Sequence, residues 1–196
     1  MLEEFKAKLI EDDIRDVYQR YLLGHDTWYF REHKQSANYA QDYDDFKLYM
    51  SKKLELHVNN IAIVGSAKMG FSLSPTKDYR GFNEESDIDL VVVSSPIFKA
   101  SWEAYLDLHL RGYLPTYAPV AKNIFKGFVS LKEIDNRAGF FDTWSRKVEP
   151  LKKDFQTLFS IPHEVNYRVY DSWESVERYH LSGLKALKEK LEETNE

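Results

Sequence analysis

Ile61-Ala62-Ile63-Val64-Gly65-Ser66-Ala67-Lys68-Met69-Gly70 is an apolar run of strand length that stops at Gly-Ser, with a second glycine close behind. Ser86-Asp87-Ile88-Asp89-Leu90-Val91-Val92-Val93 is a second such run, opened by a pair of aspartates with one residue between them. A strand that ends in Gly-Ser and turns into a short helix aims backbone N–H groups and a hydroxyl at whatever lies beyond it, which suits phosphate oxygens. Gly65 permits the tight turn and the close approach of a phosphate. In the second strand, alternation puts Asp87 and Asp89 on one face and Ile88 and Leu90 on the other, towards the core. Two carboxylates held that close need a cation between them, and for phosphate chemistry that cation is Mg²⁺ or Mn²⁺. With a triphosphate present, such an ion would activate an attacking hydroxyl and neutralise charge growing on the α-phosphoryl group.

Outward from these strands, apolar spacings of three and four predict an amphipathic helix over 2–23, with Gly24 as its C′ residue. Residues 25–39 have no period and read as loop; Trp28-Tyr29-Phe30 within it either packs back on the core, the commoner fate, or faces a ligand. A helix follows from Asp44 to His57. The polar stretch 74–86 is turn-rich and long enough to form a flap over a ligand. Ser94-Ser95-Pro96 stops the second strand, and a helix runs from Lys99 to Arg111. Between 120 and 160 the pattern is hardest to parse: Asn123–Leu131 reads as strand or short helix, and Pro150 as a helix start. Glu164–Tyr170 alternates as a half-buried strand, with Val165, Tyr167 and Val169 inward and Glu164, Asn166 and Arg168 on the polar side. Asp171 and Glu174 form a capping-box pattern for a last helix over 172–192, whose interior Gly183 marks a close helix contact or a weak spot. One domain, 1–196, accounts for the whole, with a core at about 44–170.

Composition limits the chemistry. There is no cysteine, so disulfides, thiolate nucleophiles and Cys-based metal sites are excluded. A net charge of −5 argues against broad duplex or anionic-membrane binding. The acidic N-terminus and the absence of long apolar runs point to a cytoplasmic protein with no membrane partner. Six histidines lack zinc spacing; His163 reads as a partly buried structural residue that precedes the 164–170 strand. The pairs Arg146-Lys147 and Lys152-Lys153 form only a modest basic patch, more in keeping with a solvated surface than with an RNA-binding module.

Residues 61–93 resemble the signature of the nucleotidyltransferase superfamily related to DNA polymerase β: Gly-Ser, a nearby Gly, then Ser-Asp-Ile-Asp-Leu. The resemblance implies an α/β (α+β) fold, a nucleotidyltransferase-like mixed sheet flanked by helices with N- and C-terminal helices packed on it. It implies a metal-dependent transferase that moves a nucleotidyl group from a nucleoside triphosphate, with ATP expected, to a hydroxyl of RNA, protein or a small molecule. Gly65 and Ser66 would hold the β/γ-phosphates, Asp87 and Asp89 would ligate the metal, and Lys68, Gly70, Lys77 and Arg80 are the other residues nearest the triphosphate. The family's third carboxylate belongs on a neighbouring strand, where this chain carries Asn166. Glu164, about 7 Å along the same strand, is the substitute, and Asp135 or Asp142 would serve only under a different reading of 120–160. The alternative is a catalytically weakened, nucleotide-binding regulatory or interaction subunit, as in a toxin–antitoxin or phage-defence pair. A protein partner or a homodimer through the two terminal helices fits either reading.

Overall fold

The two apolar runs pair directly: β1 (Ile61–Val64) lies antiparallel to β2 (Ile88–Val93), with Val64 opposite Asp89. In the computed structural model, which describes residues 1–132 and 134–195, a mixed four-stranded sheet is completed by β3 (Phe128–Ser130) and β4 (Val165–Tyr170). Its order is β1-β2-β4-β3, with β4 parallel to β2 and antiparallel to β3. The helices are α1 (Leu2–Glu11), α2 (Ile14–Val17), α3 (Tyr39–Leu54), α4 (Ser66–Met69), α5 (Ser95–Leu110), α6 (Tyr117–Phe125), α7 (Gly139–Phe159) and α8 (Trp173–Asn195). None is long and apolar enough to cross a membrane.

Strand alternation sorts the side chains into two layers. Ile61, Ile63, Ile88, Leu90, Val92, Tyr167 and Val169 join residues of α3, α5 and α7, such as Phe46, Leu108, Phe141 and Phe155, in the main core. Val64, Val91, Val93, Phe128 and Tyr170 face the other way and pack with Val176 of α8. Both faces are therefore covered, which is why β2 is almost uninterrupted apolar sequence. The terminal helices meet through a third cluster, where Phe5, Leu9, Tyr18 and Leu22 pack on Leu184 and Leu187. Each of these burials contributes about 1.5–3 kcal/mol.

Several expectations need correction. The predicted helix 2–23 is three pieces: α1, α2 and a π-helical turn over Tyr18–Leu23. The break falls at Asp12 and Asp13, because Asp13 turns its carboxylate back to accept from Arg15 N–H at 2.8 Å and starts a new helix. Gly24 is not in the left-handed region of a C′ glycine; a Cβ there would stand 2.3 Å from the Arg20 carbonyl oxygen, so close backbone approach is what requires glycine. The 25–39 loop holds a π-helical turn over Tyr29–His33, and Tyr29 and Phe30 go into the core. Ser94 does end β2, but its hydroxyl caps α5, with Pro96 in the first turn, so the helix starts earlier than Lys99. Of the apolar residues of α5, Tyr105 and Leu108 are buried, whereas Trp102, Leu106 and Leu110 stay exposed. Asn123–Leu131 is both alternatives in turn, the end of α6 and then β3, while Pro150 lies inside α7 rather than starting it. The last helix is capped by Ser172, whose hydroxyl accepts from Ser175 N–H at 3.3 Å, and not by Asp171. Nothing stands within 4 Å of a Cβ built on Gly183, so it marks no close helix contact.

Candidate functional site

The site lies on the face of the sheet that α8 covers, and one row across the strands builds it. Val64, Asp89 and Asn166 are register partners on β1, β2 and β4. Arg168, one repeat further along β4, reaches back to Asp89: its Nε donates to Oδ1 at 3.0 Å and its Nη2 to Oδ2 at 2.9 Å. Asn166 Nδ2 donates to the same Oδ1 at 2.8 Å, and Asn166 Oδ1 accepts from the Ser130 hydroxyl at 3.1 Å. Arg168 Nη1 also donates to the Tyr179 hydroxyl at 3.3 Å. The Arg168 and Asp89 side chains are 23% and 21% exposed. Burial is the largest single influence and works against the guanidinium's charge, but Asp89 together with the Tyr179 and Tyr170 hydroxyls outweighs it and holds the pKa above the usual arginine value.

Gly65 closes this row. Its φ of +68° suits glycine alone, and a Cβ there would stand 3.0 Å from Asp89 Oδ2. The turn into α4 is therefore pressed against the carboxylate. Because α4 is a single turn of four residues, little helix dipole is available, and the positive field of the site comes from side chains.

Beside Ser66 opens a cavity of about 630 Å³, bordered by Gly65, Ser66 and Asp89, by the loop of Ser72 to Pro75 with Lys77, by Phe125–Gly127, and by α8 from Ser175 to Ala186. That size is typical of a small-molecule site. Lys77, Lys126, Arg168 and Arg178 line it against the single carboxylate of Asp89. The loop holding Lys77 is anchored by a bridge between Phe71 and Gly81 and by Ser72 N–H donating to the Arg80 carbonyl at 2.8 Å. His180 completes the floor; burial pushes its imidazole down to about 4, so it is neutral at physiological pH.

The residues expected from the sequence fall into separate groups. Gly65, Ser66, Asp89 and Lys77 border the cavity. Asn166 touches it through Asp89. Asp87 lies one residue before β2; its carboxylate accepts from Lys132 Nζ at 2.6 Å and does not line the cavity. Glu164 is exposed at the entry of β4 and borders a separate hollow beside Lys132 and His163. Asp135 is tied to Arg137 and Asp142 to Arg146, so neither joins Asp89. Gly70, with φ +80°, makes room for Trp28: a Cβ there would stand 2.7 Å from the indole. Arg80 is exposed and does not border the cavity. His163 is buried, as a structural histidine should be, with Nδ1 at 3.0 Å from the Ser86 carbonyl oxygen.

Lys68 is turned away from the cavity altogether. The residue is 3% exposed, and its ammonium donates to the carbonyl oxygens of Gly24 and Asp26, clasping the 24–26 segment to α4. Burial pushes this amine down to about 8. Since the folded pKa lies below the unfolded value of 10.5, the unfolded chain keeps its proton longer, and the penalty is fully present below pH 8. Stability should thus rise as pH climbs from about 8 to about 10.5, by about 3 kcal/mol at most. Urea unfolding of the wild type and Lys68→Met at pH 7.5, 9 and 10 checks this. The difference between them should move towards the wild type with pH, and a constant difference would show that Lys68 keeps its proton.

The metal expected from the two aspartates does not fit these residues as arranged. Both Asp89 oxygens are engaged by Arg168, Asn166 turns a donor rather than an acceptor towards Asp89, and Asp87 is engaged by Lys132. Among the described residues no three His, Cys, Asp or Glu side chains gather as a metal site. Arg168, Lys126 and Arg178 were not among the expected site residues. Arg168 was legible in principle, since period two puts it on the face of Asn166; Lys126 and Arg178 come from a turn and a helix that no local signal ties to Ser66. Comparison with protein-family models, curated proteins and solved structures finds no match to this chain.

Proposed function

We propose that this chain binds a phosphate-bearing anion of nucleotide size, with ATP as the expected ligand, on a nucleotidyltransferase-like scaffold, and that it serves as a regulatory or interaction subunit rather than a transferase. The observation that carries this reading is charge: four cations against one carboxylate line the cavity beside Ser66, in a chain whose net charge is −5. Asp89 is already neutralised by Arg168, which leaves Lys77, Lys126 and Arg178 for the ligand; Arg178 is held by the Glu174 carbonyl oxygen at 3.4 Å and feels the Glu174 carboxylate one helical turn back, so it is the most pre-positioned of the three. Polyphosphates match such a site by charge and by acceptor count, and the hydroxyls of Ser66, Ser72, Ser74 and Ser182 add neutral donors at the same wall. A fixed guanidinium neutralises Asp89 without a divalent ion.

A second reading, a metal-dependent nucleotidyltransferase, is favoured by Asp89 lying against the Gly65 turn, with Asp87 just ahead of the strand. It requires Arg168 to leave Asp89. Calorimetry of ATP in EDTA and in Mg²⁺ or Mn²⁺ separates the two. We expect binding in EDTA at least as tight as with metal. Affinity that appears only with metal, together with transfer of label from α-labelled ATP to RNA or protein, would favour the transferase and overturn the binding role.

A further inference from the structure

The mouth of the cavity carries a side chain that the charge argument leaves unexplained. Phe125 is 91% exposed, more than Leu110 at 76% or any other exposed large apolar residue among those described, and it borders the cavity. Its backbone is well fixed. Phe125 ends α6; Lys126 N–H donates to the Asn123 carbonyl at 3.0 Å, and Gly127 N–H to that of Ile124 at 2.9 Å. Gly127, at φ +86°, brings the turn so close to α8 that a Cβ there would stand 3.0 Å from Ser175 Cβ. β3 follows at once, with Phe128 buried. Val120 and Ile124 turn the apolar side of α6 towards the core, which leaves Phe125 on the side of the cavity. Next to it, the Lys126 ammonium lies 5.8 Å from the centre of the Tyr179 ring.

An exposed aromatic ring on a rigid turn beside cations is the arrangement that receives a nucleobase, because every base has a flat π-face and the neighbouring cations hold its phosphates. We propose that Phe125 is a base-stacking platform, and that the cavity's ligand is accordingly a nucleoside polyphosphate and not a bare polyphosphate. This rests on the reading of the cavity as a phosphate site. The base lies on Phe125 at the mouth, and the phosphates run inward along Lys77, Arg178 and Ser66 towards Arg168.

The test is calorimetry of ATP and of sodium tripolyphosphate against the wild type, Phe125→Ala and Phe125→Trp. Phe125→Ala should lower the ratio of ATP affinity to tripolyphosphate affinity by about 5- to 150-fold, the range of base–aromatic stacking. Phe125→Trp should restore that ratio. If the wild type binds both ligands and Phe125→Ala leaves the ratio unchanged, the platform is overturned while the phosphate site stands. If the wild type binds neither, the phosphate site fails and the platform with it. Because Phe125 is so exposed, the alanine variant should keep the wild-type circular dichroism, and the tryptophan variant supplies the same comparison at full ring size.

Discussion

Replacing Arg168 by methionine is expected to lower the melting temperature by roughly 6–12 °C and to weaken ATP binding more than tenfold. The first effect follows from what is left behind. Methionine keeps most of the volume but removes the two bonds at 3.0 and 2.9 Å from the guanidinium to Asp89. Asp89 then stays charged, under α8, with only the Asn166 amide and water as partners. Stripping one partner from a fully buried pair costs about 3–5 kcal/mol. Both side chains are about a fifth exposed, so the lower end, about 3 kcal/mol, applies, and for a chain of this size that is a few degrees per kcal/mol. A double-mutant cycle isolates the pair: adding Asp89→Asn to Arg168→Met removes the stranded charge and should recover a large part of the loss. Thermal or urea unfolding of the four chains gives the answer. Additive single effects would mean that the ion pair contributes nothing. The same dependence makes an alanine at Asp89 a poor probe of catalysis, because it strands Arg168 and disturbs the fold along with the chemistry.

The second large effect concerns the ligand. Converting Lys77, Lys126 and Arg178 together to glutamine should weaken ATP and tripolyphosphate binding by about 100- to 1,000-fold, at about 1 kcal/mol or somewhat more for each charge-assisted contact with phosphate. Stability should change by no more than about 0.5 kcal/mol, since all three are exposed and the one carboxylate that Arg178 feels, Glu174, is exposed as well. Wild-type affinity should fall steeply as salt rises from 50 to 300 mM, while the residual affinity of the triple variant should be nearly flat, because the screened charges are gone. Equal salt dependence in the two proteins would mean that phosphate is held elsewhere.

Much of the scaffold was legible from local pattern. β1, β2 and β4 were readable because alternation and apolar runs are short-range signals, and Gly65 because a strand cannot turn so sharply into a helix without it. The breaks in the N-terminal helix were not, because amphipathic spacing continues across Asp12 and Asp13 while the Asp13 cap competes with it. Inside 120–160, Pro150 looked like a helix start, yet α7 already runs from Gly139 and packs Phe141, Trp144 and Leu151 into the main core. Burial of these large side chains outweighs the local cost of the proline.

What the amino-acid order determined by itself is that Asp89, with Asp87 just ahead of its strand, stands next to a glycine turn and clear of the main core; period two is a geometric property of the extended chain. What only the tertiary structure decided is how those charges are neutralised. Asp87 goes to Lys132 and Asp89 to Arg168, residues 45 and 79 positions away, and the cavity beside them takes Lys126 and Arg178 from a turn and a helix remote in sequence. Charge acts through space and burial rather than along the chain, so the partner of a carboxylate becomes known only when the sheet order and the helix across it are known.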